Sequence, residues 1–307
     1  MRTALLFLSP GISALLTIFF WMGTSLSSTN ATALWSHDFA CAFASLAIYL
    51  SLVTTKSRRV SDAIFLGIFL FLAYLCRPTL SLLAPFSLGY IWLTNKRMSL
   101  VSAITLGLMI TALSVFSLAE FNQFLPDYYL PKRLDGGNFY EAITGNLISP
   151  SRGLLVFSPF LWVVILCTIA SKTRPKKTPE LILLGILWPL IHLVFISRFP
   201  HWWGGHSFGP RLMADALPGL FLLTIHSVSI IIEKRKAIYL SALISLSALS
   251  TYIHTYKGLR NHWITEWNTR PNVDENHEII FDWKYPQFLA TKSSISKQEL
   301  EYSKKPN

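Results

Sequence analysis

The feature that most restricts this chain is a series of apolar blocks, each about 16 to 23 residues long, with almost no charge inside them. A helix rises about 1.5 Å per residue, so blocks of this length match a hydrocarbon core about 30 Å thick. Lipid offers the backbone no hydrogen-bond partners, so such blocks must be helical. Nine of them read at roughly 4–24, 39–55, 60–76, 79–94, 99–119, 153–171, 180–197, 211–232 and 237–254. Charged residues are only 14% of the chain, where a soluble domain has about 25%. The predicted fold class is therefore all-α: a polytopic transmembrane helix bundle over 1–254 and a tail over 255–307. The first block follows Met1 and Arg2 but lacks a small-residue cleavage site, so it reads as a retained helix.

The stretch from Val60 to Thr94 would make one helix about 50 Å long, too long for a membrane. Arg77-Pro78 stands in its middle, and proline disfavours the helical state in the residue before it. Two short helices meeting at an outer turn are expected there, with a re-entrant pair as the alternative.

Basic residues give the orientation. One set of connections holds Arg2, Lys56, Arg58, Arg59, Lys96, Arg97, Lys172, Arg174, Lys176, Lys177, Lys234, Arg235 and Lys236. The opposite short loops hold only Arg77, Lys132, Arg133, Arg152, Arg198 and Arg211. The richer side is cytoplasmic, which puts the N-terminus inside and the tail outside a plasma (inner) membrane that the chain crosses several times. The net charge of +11 then follows from topology, and no nucleic-acid motif accompanies it. Cys41, Cys76 and Cys167 lie in or beside apolar blocks and suggest small buried residues. Asn30-Ala31-Thr32 matches a glycosylation sequon close to the membrane.

Intramembrane charge, the mark of an ion path, is nearly absent. Asp62, Glu120 and Asp215 lie at block ends, and His192 is the deepest titratable residue. Polar chemistry collects instead on the outer rim. Arg77, Arg152, Arg198 and Arg211 each fall at the outer end of a block. A guanidinium fork can grip phosphate oxygens, or it can simply snorkel to headgroups. Two outer loops, 121–152 and 198–210, and the tail are rich in Trp, Tyr, Gly and Asp. In His201-Trp202-Trp203-Gly204-Gly205-His206-Ser207-Phe208-Gly209-Pro210-Arg211, Pro210 suits a first helical position with Gly209 as cap. The free N–H groups of that helix start would make an anion site beside Arg211. Asp215 could pair with Arg211 at i, i+4 spacing. The tryptophans suit either a sugar platform or the interfacial aromatic belt. His201 and His206 without a neighbouring carboxylate are a weak metal signal.

Trp202-Trp203-Gly204-Gly205, Phe208-Gly209-Pro210-Arg211 and Asp215-Ala216-Leu217-Pro218 together resemble bacterial phospholipid-carrier-dependent glycosyltransferases. These are members of the C-type integral-membrane superfamily that includes the protein mannosyltransferases. Leu34-Trp35-Ser36-His37, Ser149 to Pro159, and Phe281 to Leu289 fit the same group, so the resemblance spans about residues 10 to 290. It implies transfer of a sugar from a polyprenyl-phosphate donor, in contact with membrane lipid, on the outer face. Arg77, Arg152 and Arg211 would bind the donor phosphate. His201, Trp202, Trp203, Gly204, Gly205, His206, Gly209 and Asp215 would support the site. An acid in the first large outer loop would act as base or metal ligand. Here the first outer loop, about 25–38, holds only Asp38, the first choice for that role over Asp127, Asp135, Glu141 and Asp215. No cofactor is specified, no metal ligand is assigned, and a divalent metal is left open. The stretch Leu34–His37 normally follows several earlier helices, so the chain is expected to lack an N-terminal catalytic portion. The competing readings are a non-catalytic or truncated membrane protein and a transporter or flippase.

Overall fold

The computed structural model describes residues 1–130, 136–171 and 178–303. Lys132, Arg133, Asp135, Lys172, Arg174, Lys176 and Lys177, named above, lie outside the described residues. Among the described residues the chain is helical, with one isolated bridge between Thr269 and Asn272 and no named strand.

Each of the nine apolar blocks is helical. Their lengths differ from the expectation. Ser36–Ser57, Lys96–Phe121, Arg211–Glu233 and Ala237–Leu259 are long and apolar enough to cross a membrane, and Pro10–Met22 with Ser25–Thr32 would make a fifth, bent by 57°. Val60–Cys76, Phe160–Ala170 and Leu181–Ile196 are shorter apolar helices. At 17 residues, Val60–Cys76 reaches only about 25 Å. By length and apolarity, four to five helices are candidate spans among the described residues. The breaks have local causes. The block over 153–171 is cut at Ser158-Pro159, where Ser158 leaves helical dihedrals and its hydroxyl donates to Gly23 O at 2.8 Å. The 60–94 stretch breaks where expected: Val60–Cys76 ends, Arg77 is extended at φ −145° and ψ 111°, and Pro78–Leu82 makes a 3₁₀ turn into Leu83–Trp92.

Two apolar cores stand side by side. One gathers Phe20, Leu161, Val164, Leu217, Val228 and Leu243. The other gathers Ala44, Ile48, Leu66, Leu70, Leu83 and Ile91, and borrows Leu184, Trp188 and Leu222. Arg211–Glu233 runs between them: 72% of its apolar window is buried, against 11% for Lys96–Phe121 and 22% for Ala237–Leu259. The last two helices carry large exposed apolar side chains such as Ile104, Leu108, Ile238 and Ile244. Lipid is the solvent that accepts such a surface.

The region over 255–307 is more than a tail. The preceding helix continues to Leu259 through a π-helical stretch, Tyr252–Leu259. The following residues fold back as Trp263–Thr269, His277–Phe281 and Lys292–Tyr302. They bury Trp267, Val273, Ile279, Ile280 and Ile295 against Trp202, Trp203 and Ala142. This third core caps one end of the bundle.

Candidate functional site

Within the loop 201–210, the chain reverses at glycines. Gly209 has φ +61°, and a Cβ on it would meet the Phe157 ring at 2.7 Å, so glycine is required there for backbone and space alike. The loop drives its two tryptophans inward. Trp202 is 2% exposed and Trp203 6%. Trp202 lies on Gly145 of the Phe139–Ile148 helix, and Trp203 Nε1 donates to Asp274 Oδ1 at 2.7 Å. His277 stacks on Trp203 with ring centroids 5.4 Å apart. Neither a sugar platform nor a membrane-belt anchor fits these positions; the pair is the core of the cap. His206 is tied to Asn272 Oδ1 at 3.0 Å and stands 3.5 Å from Asp274. His201 is exposed, its ring edge-on to Trp203. Among the described residues no group of three His, Cys, Asp or Glu could hold a metal ion.

The resemblance assigns Arg152 to a donor phosphate, and the structure places it otherwise. It is 1% exposed and engages all five of its N–H donors within the protein. Nε donates to Trp203 O at 2.9 Å, one amino group to Ser151 O and Gln287 Oε1 at 2.8 Å, and the other to Gly205 O at 3.0 Å and Asn268 Oδ1 at 2.9 Å. The guanidinium also lies 5.6 Å from the Trp267 ring centroid. Burial pushes its pKa down to about 9 against the pull of Asp274, which leaves it charged at neutral pH. No donor remains for a ligand. Arg152 is the clasp that holds the cap on the Trp-Gly loop.

The remaining candidate residues converge elsewhere. Asp215 is fully buried in the 3₁₀ turn Arg211–Ala216. It does not pair with Arg211. Its Oδ1 accepts from His37 Nδ1 at 2.7 Å and its Oδ2 from Arg77 Nε at 3.1 Å. A buried carboxylate needs such partners to offset its desolvation. Arg77 is positioned by the break before Pro78 and is largely covered, 14% exposed. Arg211 stacks over Trp35, 4.4 Å from the ring centroid, and reaches Gly204 O at 3.4 Å. Pro210 is the residue before the turn, and the N–H groups of Arg211 and Met213 are spent on Gly209 O and Pro210 O at 2.9 and 3.2 Å. The expected anion site of free N–H groups is thus partly consumed by the turn itself. His192 Nε2 donates to Leu212 O at 3.0 Å from beneath.

Beside Arg77 opens a cavity of about 780 Å³. Its walls are mainly apolar, including Leu70, Ile110, Phe195 and Leu212, and its polar members include Arg77, Thr79, Ser81, Tyr128 and His201. Tyr129 joins this wall and is fastened by its hydroxyl to Leu75 O at 2.7 Å. Asp38 lines a different cavity, of about 330 Å³, with Asn30, Cys41 and Phe221. Its carboxylate accepts the Trp35 N–H at 3.1 Å, the work of an ordinary residue in the first helical turn. Glu141 stands at the cap, 3.4 Å from His277.

The structure thus brings Arg77, Asp215 and Arg211 into one region, sends Arg152, Trp202, Trp203, His206 and Gly205 to the cap, and sets Asp38 apart. Sequence reasoning gave no role to His37. Its partner lies 178 residues away, and no local spacing signals the pair. Comparison with protein-family models, curated proteins and solved structures gives no match.

Proposed function

We propose that this protein binds a polyprenyl-phosphate-linked sugar at the outer membrane face, as a membrane glycosyltransferase or as the carrier-binding part of one. One observation carries the reading: an apolar cavity of about 780 Å³ with a carboxylate-anchored arginine on its wall. An isoprenoid chain suits the apolar walls, and Arg77 supplies charge-assisted donors for the phosphate. Arg211, held by Trp35, is the second cation of the region. Geometry supports the carrier-binding half, while the transfer half rests on the resemblance. Transfer needs a base for the acceptor hydroxyl; exposed His201 lies on the wall of this cavity, whereas Asp38 would serve only an acceptor entering the smaller one. In this reading all nine blocks sit within the plasma membrane, with the N-terminus inside and the cap outside. The transporter reading is disfavoured by the two apolar cores.

The test uses the full chain in phosphatidylcholine nanodiscs, with farnesyl phosphate and farnesol as probes. Arg77→Ala should weaken farnesyl phosphate binding about tenfold or more and leave farnesol unchanged. Arg211→Ala should weaken it less. Unchanged phosphate affinity in both variants refutes the phosphate role. Release of polyprenyl phosphate from a polyprenyl-phosphate sugar would establish the transfer step.

A further inference from the structure

We infer that His37 is a positioning residue that keeps Arg77 available to an anion in the cavity, by occupying one oxygen of Asp215. The inference rests on the binding role proposed for Arg77.

An arginine and a carboxylate left to themselves favour a two-pronged contact, with two parallel N–H···O bonds. Here they do not make it. Asp215 offers Oδ2 to Arg77 Nε at 3.1 Å, and Oδ1 is already taken by His37 Nδ1 at 2.7 Å. Arg77 is therefore anchored through Nε alone. Among the described residues its terminal amino groups reach only Tyr128 Oη, at 3.5 Å. Tyr128 and Arg77 both line the cavity, so the unspent donors are on the ligand side.

The His37 end of the arrangement is equally determined. A carboxylate only accepts, so the proton on His37 must sit on Nδ1. His37 is 1% exposed and its Nε2 has no partner. The ring thus makes one hydrogen bond, to Asp215, at the cost of leaving its other nitrogen buried without a partner. Its place at the start of the Ser36–Ser57 helix fixes the direction of that bond. Removing the Nδ1 donor would free Oδ1, and the Arg77 fork would rotate onto Asp215 and away from the cavity.

Asparagine and glutamine separate this role from simple packing. The amide nitrogen of asparagine falls where histidine carries Nδ1, and that of glutamine where it carries Nε2. With the full chain in phosphatidylcholine nanodiscs, His37→Asn should bind farnesyl phosphate about as tightly as the unaltered protein. His37→Gln and His37→Leu should bind it about tenfold more weakly, with farnesol binding retained. Equal phosphate affinity in His37→Gln and the unaltered protein, with Arg77→Ala weakened, would overturn the role of His37 alone. Equal loss in His37→Asn and His37→Gln would overturn it too, as would loss of both probes in His37→Gln, which would mark a packing residue. No effect of Arg77→Ala would remove the binding role itself, and the inference with it.

Discussion

Replacing Arg152 by methionine should release the cap. Methionine fills most of the volume but supplies none of the five donors. The consequences differ among the acceptors. Gly205 O keeps the Ser207 N–H at 2.8 Å, Gln287 Oε1 keeps the Gly209 N–H at 3.0 Å, and Asn268 Oδ1 keeps Gln287 Nε2 at 3.1 Å. Ser151 O and Trp203 O lose the donors they have through Arg152. Two orphaned buried carbonyls at about 1–3 kcal/mol each, less the relief of no longer burying a charge, give a net loss of about 3–4 kcal/mol. That raises the detached population of the cap by roughly two to three orders of magnitude. The assay is limited trypsin digestion of the detergent-purified chain, following cleavage after Arg260 and Lys284 by mass spectrometry. Cleavage of a transiently open segment follows its open population when reclosing is fast. A cleavage rate in Arg152→Met within about threefold of the unaltered protein would refute the clasp, since that corresponds to under about 1 kcal/mol.

Two further outcomes are expected. Gly145→Ala would set a methyl against the Trp202 ring, whose nearest atom lies 2.0 Å from the added Cβ; a cost of about 1–3 kcal/mol should lower the melting temperature of the purified protein, and an unchanged value would mean that Trp202 is not packed there. Ser303→Cys, in the exposed end of the cap, should react with a membrane-impermeant maleimide in intact cells; labelling only after lysis would invert the topology.

What the sequence disclosed and what it hid follow from the range of the forces involved. Lipid acts on each segment separately, so the apolar blocks are legible one by one; Val60–Cys76 has the bounds expected of it. The turn at Arg77-Pro78 is equally local, because the proline constrains its own neighbour. The break at Ser158-Pro159 carries the same proline signal and is joined by a contact of Ser158 with Gly23 O, far away in the chain, but hydropathy alone passes straight over it. Site chemistry was legible as residue types but not as partnerships. Spacing offered Arg211 to Asp215, and packing gave the carboxylate to His37 and Arg77 instead. Arg152 read as a rim cation because its acceptors at Asn268 and Gln287 come from a part of the chain that reads as a separate tail. Trp202 and Trp203 read as exposed for the same reason.

The clasp also sets an order of assembly. Arg152 and Gln287 are 135 residues apart, so at synthesis rates of about 5–20 residues per second the arginine waits roughly 7–27 s for its acceptor. Through that interval the bundle can insert and pack, while the Arg152 donors that end on Asn268 and Gln287 must be served by water or headgroups until those residues arrive. Closure of the cap is therefore a late event in biogenesis. A chain interrupted before Trp267 would leave Trp202 and Trp203 without the side chains that bury them, and Arg152 without its Asn268 and Gln287 acceptors.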